Sequence, residues 1–421
     1  MQTANFCGLD FGTSNSTIGI YQNNACQLVP LEGAKIPIRS AIFYDTEINQ
    51  LSFGQSGIDA YLNGIPGRLM MSLKSVLGSA LMQDKTIIFN KFVPYTAILG
   101  HFMQHLKQQA EKVLKAGLTQ VVLGRPVRFH DEDERKDQLA QKTLEQIAQQ
   151  LGFKEIAFQY EPIAAALAYE QTITHEQLAL IIDMGGGTSD FTVIRLTPHN
   201  QASNRSTDVL SNHGIHLGGT DFDRSLSLQA VMPLLGMGSL VRGSSSDIQV
   251  PNSFYFDLTT WHTLNYLYTG QTLQQIRTIC SAAHDKRLLK RLLKVLENKQ
   301  GHHILHSVEI SKQQLSDVTQ ILLNLAFIEE QLSTLVTRTA FNAAIDAHIN
   351  DVINTIQQTV SMANVQFKDI DAIFYTGGST KIPIIREKIN ALIPHASIIQ
   401  GDAFGSVGLG LTLDAARRFK H

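Results

Sequence analysis

Apolar and polar positions along this 421-residue chain switch repeatedly between two periods. Short β-branched runs predict strands, and apolar residues three and four apart predict helices. Asn5 to Leu9 and Leu178 to Ile182 are apolar runs, each followed across a short turn by a β-branched run, Thr17 to Tyr21 and Phe191 to Ile194. Each pair predicts a hairpin within a sheet. Gln120 to Leu123 predicts another strand, ended by the turn Gly124-Arg125-Pro126. The clearest helix comes next. Asp131 is placed to cap it with Glu134 three residues on, Ala140, Leu144, Ile147, Ala148 and Leu151 share one face, and Gly152 closes it. Ile156 to Gln159 predicts a strand and Ile163 to Glu170 an alanine-rich helix, before polar Thr172 to Gln177 joins two halves.

The second half is less regular. His199 to Asp208 is polar and predicts an exposed loop; Arg224 to Ser307 has a weaker pattern, with helical periodicity and a basic face from Leu273 to Leu296. Helical patterns dominate from Ser311 to Val365, Ile370 to Tyr375 returns to a strand, and a last helix follows Gly401-Asp402. Strands and helices interleaved in this way predict an α/β fold.

Bulk composition narrows the function classes. With about 150 residues per domain, the length suggests two or three folding units. A formal charge of −2 gives no general attraction to nucleic acid or anionic lipid, so neither is expected as a partner. Cys7, Cys26 and Cys280 lack metal-ligand spacing and argue against a disulfide framework, which fits a reducing compartment with the cytoplasm as the expected location. No apolar run approaches the ~20 residues of a membrane span. The segment from Lys286 to Lys294 is basic and amphipathic and reads as a helix with a solvated face. His302, His303 and His306 have no neighbouring acid or cysteine motif, so a surface cluster is expected rather than a metal site, and Trp261 is expected in a packed insertion core.

The chemistry is concentrated in glycine-and-hydroxyl turns. Two open with an aspartate: Asp10-Phe11-Gly12-Thr13-Ser14-Asn15 and Asp183-Met184-Gly185-Gly186-Gly187-Thr188-Ser189-Asp190. Glycine lets backbone N–H groups approach an anion, hydroxyls add donors, and an ionised aspartate holds a divalent cation through water. Two further turns are Gly218-Gly219-Thr220-Asp221 and Thr376-Gly377-Gly378-Ser379.

Four turns in this order, with Tyr160-Glu161-Pro162-Ile163-Ala164-Ala165-Ala166 between the first and second, resemble the actin-like ATPase superfamily, and within it the seventy-kilodalton heat-shock (Hsp70) chaperones. Gly124-Arg125-Pro126-Val127 and Met232-Pro233-Leu234-Leu235-Gly236-Met237-Gly238 look most like the short bacterial YegD-type members. The resemblance implies the actin-like, ribonuclease H-like fold: two lobes, each a mixed sheet with flanking helices, around a central nucleotide cleft. Residues 1–176 would form the first lobe and 177–421 the second, with an insertion at about 224–308 and a C-terminal helix packing back toward the first.

By position, the resemblance gives Gly12, Thr13, Ser14 and Asn15 to the phosphates of ATP or ADP from one side, and Gly185, Gly186, Gly187 and Thr188 from the other. Asp10 and Asp183 would hold hydrated Mg2+, both ionised at neutral pH, and Glu161, Thr188 and Asp190 would orient the attacking water or take its proton. Gly218, Gly219 and Thr220 would join the nucleotide site. Glu309, Lys312 and Ser316 would hold ribose and adenine, with Gly377, Gly378, Ser379 and Lys381 opposite, and Asp402 would close the site. The family's phosphate-reaching lysine falls on Ile58, which implies slow or absent hydrolysis unless Arg68 or Lys74 substitutes. The few residues after Asp402 are too short for a peptide-binding domain, so the expected function is a weak, nucleotide-gated, chaperone-like ATPase that signals to another protein. A nucleotide-binding protein without turnover, a small-metabolite kinase and a filament-forming protein of the same fold stay open beside it.

Overall fold

The computed structural model describes residues 5–77, 79–129, 133–198, 200, 202, 204–243, 246–261, 263–399 and 405–420. They fall into two compact units. The first comprises residues 1–216, 354–380 and 389–421, and the second 217–353 and 381–388.

The first unit contains two five-stranded paths of the same topology. One is built from β1 (Phe6–Phe11), β2 (Asn15–Gln22), β3 (Ala25–Leu28), β10 (Gln120–Arg125) and β11 (Glu155–Tyr160), in the order β11-β10-β1-β2-β3, with the short β4 (Ile38–Arg39) also on β2. The other is built from β12 (Gln177–Met184), β13 (Ser189–Leu196), β14 (Val209–Ile215), β19 (Ala372–Thr376) and β20 (Ser397–Ile399), in the order β14-β13-β12-β19-β20. In both, the first strand runs antiparallel to the second and parallel to the fourth, and the fourth runs parallel to the fifth. In both, the aspartate is the penultimate residue of the first strand: Asp10 pairs with Thr17, and Asp183 with Asp190. The paired turns in the sequence are therefore the visible trace of a repeated sheet.

Smaller sheets decorate the first. They are β5 (Ala41–Asp45), β6 (Gln50–Phe53) and β7 (Gly67–Met71), and the hairpin of β8 (Lys85–Ile88) and β9 (Lys91–Pro94). Helix α1 (Gly54–Leu62) packs on β5, and α2 (Tyr95–Leu114) and α3 (Glu134–Gln150) help bury one face of the first sheet, with Leu9, Ile18, Phe102, Leu106, Leu144 and Ile147 in a common core. The cap of α3 is Asp133, whose side chain accepts from Arg135 N and Lys136 N; Asp131, expected in that role, lies outside the described residues.

Helix α4 (Glu161–Glu170) explains its own alanine content. Ile163, Ala166 and Leu167 pack against the second sheet, whereas Ala164 and Ala165 pack with α12 (Ser406–Phe419) over Phe6 and Val122 of the first. Packing on both sides suits the small side chains of Ala164, Ala165 and Ala166. The approach of α12 is closer still: a Cβ on Gly410 would lie 1.8 Å from the Ala164 carbonyl oxygen, and one on Gly8 would lie 2.2 Å from Thr412 N. At the far end of α4, buried Glu170 receives two bonds from Arg205, at 2.9 and 2.7 Å, and one from Thr197 N. The segment expected as an exposed loop therefore contains one of the most buried charged side chains in the molecule, because Glu170 needs a desolvated partner.

The second unit holds α5 (Gly219–Ala230), α6 (Ser253–Leu258), α7 (Gly270–Ala282), α8 (Lys286–Glu297), α9 (Gly301–Leu315), most of α10 (Arg338–Met362), and the hairpins β15 (Leu240–Val241) with β16 (Ile248–Gln249) and β17 (Gln320–Asn324) with β18 (Ser333–Thr337). Helix α11 (Pro383–Leu392) follows β19. Three expectations change here. The stretch from Leu273 to Leu296 is two helices, broken before the Asp285 cap of α8. A hairpin interrupts the helical pattern after Ser311, because β17 and β18 each bury few of their residues and so carry little apolar period. His302 is buried, its ring centroid 4.8 Å from that of Trp261, so the histidines are not simply a surface cluster.

On α8, Leu289, Leu292, Val295 and Leu296 face inward, and Arg291 joins them by bonding Glu329 and the Leu234 carbonyl oxygen. Arg291 and Arg287 together hold the Glu329 carboxylate down to about 2. Lys286, Lys290 and Lys294 remain exposed, as the amphipathic pattern predicts.

Candidate functional site

The ends of β1 and β12 converge within the first unit. A Cβ on Gly186 would lie 2.2 Å from Ser14 Oγ, so the two aspartate-headed turns meet, and a side chain there would displace the Ser14 hydroxyl. Around Gly187 there is open space within 4 Å. The first turn is tight, since a Cβ on Gly12 would meet the Asn15 carbonyl oxygen at 2.1 Å. The second is closed by Gly185 N donating to the Thr188 carbonyl oxygen at 2.9 Å.

Ser40 secures the first turn. Its hydroxyl donates to the Gly12 carbonyl oxygen at 2.7 Å and lies 2.9 Å from Ser16 Oγ, while its N–H donates to the Ser14 carbonyl oxygen at 2.9 Å. Sequence reading missed this residue, which stands in a short segment without a glycine or acidic signature. The fourth turn reaches the second: Ser379 Oγ donates to the Gly185 carbonyl oxygen at 2.9 Å. Gly377 has φ +77, and a Cβ there would lie 2.3 Å from the Met184 carbonyl oxygen and 2.8 Å from Asp183 Oδ1. Glycine is therefore required by both backbone and space.

Three carboxylates and one ammonium share this place. Glu161 stands in the first turn of α4, and Lys74 Nζ donates to its Oε1 at 2.6 Å. Asp10 and Asp183 retain some solvent access, yet burial pushes both up: Asp10 to about 8, with Glu161 adding, Lys74 opposing and Asp183 adding; Asp183 to about 6, with Glu161 adding and Thr376 and Lys74 opposing. Against the expectation that both aspartates are ionised at neutral pH, the protein alone raises both carboxyls, Asp10 more than Asp183. Burial beside two like charges outweighs a single lysine. For Lys74, burial works against the charge, but Glu161 and Asp10 outweigh it and hold the ammonium above its ordinary range.

Asp190 lies beside Asp183 on the adjoining strand, and a Cβ on its other neighbour, Gly214, would lie 2.7 Å from Asp190 Oδ1. Thr188 is exposed at the tip of the turn. Thr13 and Asn15 flank Ser14 in the first turn, and Gly378 begins the short 3-10 segment Gly378–Lys381. Ile58, in contrast, is buried on α1.

All but one of the remaining expected residues are in the second unit. Gly218 caps α5, with its N–H donating to Asp221 Oδ2 at 2.8 Å, and Gly219 and Thr220 form the first turn of that helix. Glu309 and Lys312 are on α9, and Ser316 is its C-cap. Lys312 Nζ donates to the Gly219 carbonyl oxygen and to Asp223 Oδ2, each at 2.8 Å. Lys381 also belongs to this unit. Asp402 lies outside the described residues.

Matched against models of known protein families, the chain fits the Hsp70 protein model over residues 78–232 and 288–410, more than half its length, and it belongs to the Hsp70 family. The repeated sheets and their glycine turns are the actin-like ATPase fold of an ATP-binding, Hsp70-like module. The turn at Asp10 precedes the first matched segment, so its assignment rests on the geometry above. The unmatched residues 233–287 fall within the stretch expected as an insertion.

Among the described residues, no helix is long and apolar enough to cross a membrane. Nor do three His, Cys, Asp or Glu side chains close into a direct metal cage.

Proposed function

We propose that the chain binds Mg-ATP between the turns at Asp10 and Asp183 and hydrolyses it slowly, as a nucleotide-gated module related to the short YegD-type members. The contact between Ser14 and Gly186, beside a group of half-buried carboxylates, is the observation that supports this most directly. Acidic groups held close together at this cost in ionisation fit a site completed by a cation. Asp10 and Asp183 are the proposed holders of magnesium through its water shell. The metal would supply neutralisation of phosphate charge.

Backbone N–H groups of residues 12–15 and 185–188 are the proposed phosphate donors. Glu161, Thr188 and Asp190 are proposed to orient water and accept its proton as the new bond to the terminal phosphorus forms and the bond to the bridging oxygen breaks, releasing ADP. Phosphoryl transfer asks mainly for positioning and charge stabilisation, which suits this set. Family resemblance further proposes base and ribose contacts from Glu309, Lys312, Ser316 and Lys381, and a division into lobes at 1–176 and 177–421. Gating of a protein partner would follow from a preference of one conformation for ATP over ADP.

Calorimetric titration of ATP and ADP with Mg2+, paired with phosphate release, tests the proposal on wild type, Asp10→Asn and Asp183→Asn. Wild type should bind both nucleotides and release phosphate, and each substitution should weaken Mg-dependent binding. Absence of binding by folded wild type would refute it.

A further inference from the structure

Building on the nucleotide-binding reading above, we infer that Lys74 is the cation this chain presents to the terminal phosphates, taking over from another element the task of the family lysine whose position Ile58 occupies. The side chain of Ile58 belongs to the buried face of α1, which packs on β5, and the residue is 2% exposed. An ammonium there would lose its water among apolar neighbours.

Lys74 instead rides on the single 3-10 turn Leu73–Val76. Three residues make one turn of such a helix, so Leu73 and Val76 share a side. Both are buried in the core of the first sheet. Lys74, between them, is turned to Glu161, and the two side chains of that pair are only 11% and 13% exposed. The turn is fixed at both ends. Ser75 Oγ donates to the Ser72 carbonyl oxygen at 2.7 Å, and Ser79 Oγ to the Val76 carbonyl oxygen at 2.7 Å. Arg68, the other candidate, is exposed and donates to the Ile87 carbonyl oxygen at 3.2 Å, outside the carboxylate group.

Charge gives Lys74 its role. Asp10, Glu161 and Asp183 all act on its ammonium, and Glu161 accepts a direct bond from it. An ammonium on a flexible stem with three donors can keep Glu161 while turning a free N–H toward phosphate oxygen. The lost lysine at position 58 and the lysine at 74 are then one exchange, and catalysis need not be absent.

The test compares Lys74→Met, Lys74→Arg and Arg68→Ala with wild type. Affinity for Mg-ATP and Mg-ADP is measured by calorimetry, phosphate release in a single turnover, and melting without ligand. Lys74→Met should weaken ATP binding ~10- to 100-fold, as expected for one hydrogen bond to a charged group, while ADP binding changes much less. Phosphate release should slow ~10²- to 10³-fold. Lys74→Arg should restore part of the preference for ATP, and Arg68→Ala should match wild type. In the ligand-free protein, Lys74→Met and Glu161→Gln should be non-additive in melting temperature, which reads the pair independently of turnover. If Lys74→Met does not fold, Lys74→Gln takes its place. A folded variant with wild-type ATP preference and release overturns the role of Lys74 alone; a wild type that binds neither nucleotide overturns the nucleotide reading and this inference together.

Discussion

Ser40 holds the first aspartate-headed turn by two bonds to its backbone, and its hydroxyl also meets the fully buried Ser16. Ser40→Ala should destabilise the fold by about 1–3 kcal/mol, because polar groups in this setting lose a partner, and should weaken nucleotide binding. Urea unfolding and titration would measure the two effects. His302 offers a separate test by pH. Burial, with the charge of His303 adding and a backbone bond to Trp261 opposing, lowers it from its ordinary 6.5 to about 4. The unfolded chain therefore takes up a proton below 6.5 that the folded protein refuses until about 4. Stability from this group is complete above the first value and declines toward the second, by up to about 3 kcal/mol. Denaturation at pH 7.5 and 4.5 should show a smaller difference for His302→Gln than for wild type. Trp261, the only tryptophan, gives a local fluorescence signal for the same change.

Helix α12 and the junction at Glu170 are the elements most exposed to single substitutions. Gly410→Val should cost about 1–3 kcal/mol or more by forcing α12 off the Ala164 carbonyl, seen as a lower melting temperature. Glu170→Ala should cost about 3–5 kcal/mol by leaving the Arg205 guanidinium buried with Asp208 as its one carboxylate partner among the described residues. Both sheets could be read from the chain because β1, β2, β12 and β13 are buried strands whose apolar runs are continuous. The hairpin of β17 and β18 could not, since Leu322 and Leu335 are exposed and leave no one-sided pattern. The aspartate turns were legible because their chemistry is local. Ser40 and Lys74 were harder to find, since their roles depend on partners brought near by folding: Lys74 and Glu161 are 87 residues apart in sequence. Lys74 could be raised only as a possible substitute, because spacing says nothing about where a side chain reaches.

At the scale of the molecule, a ligand that binds only the folded state should raise stability by about 2.7 kcal/mol when present at a hundred times its dissociation constant. Thermal melting with Mg-ATP and Mg-ADP should therefore shift upward, and Asp183→Asn should remove most of the shift. Another consequence comes from the glycine-lined seat of α12 on β1. A ribosome makes the receiving strand, Phe6–Phe11, some four hundred residues before the covering helix, Ser406–Phe419. Until then Phe6 and Val122 lack a large part of their cover, and closing so long a loop is slow. A member of a chaperone family thus carries, in its own nascent chain, an apolar face of the kind that such proteins serve to protect.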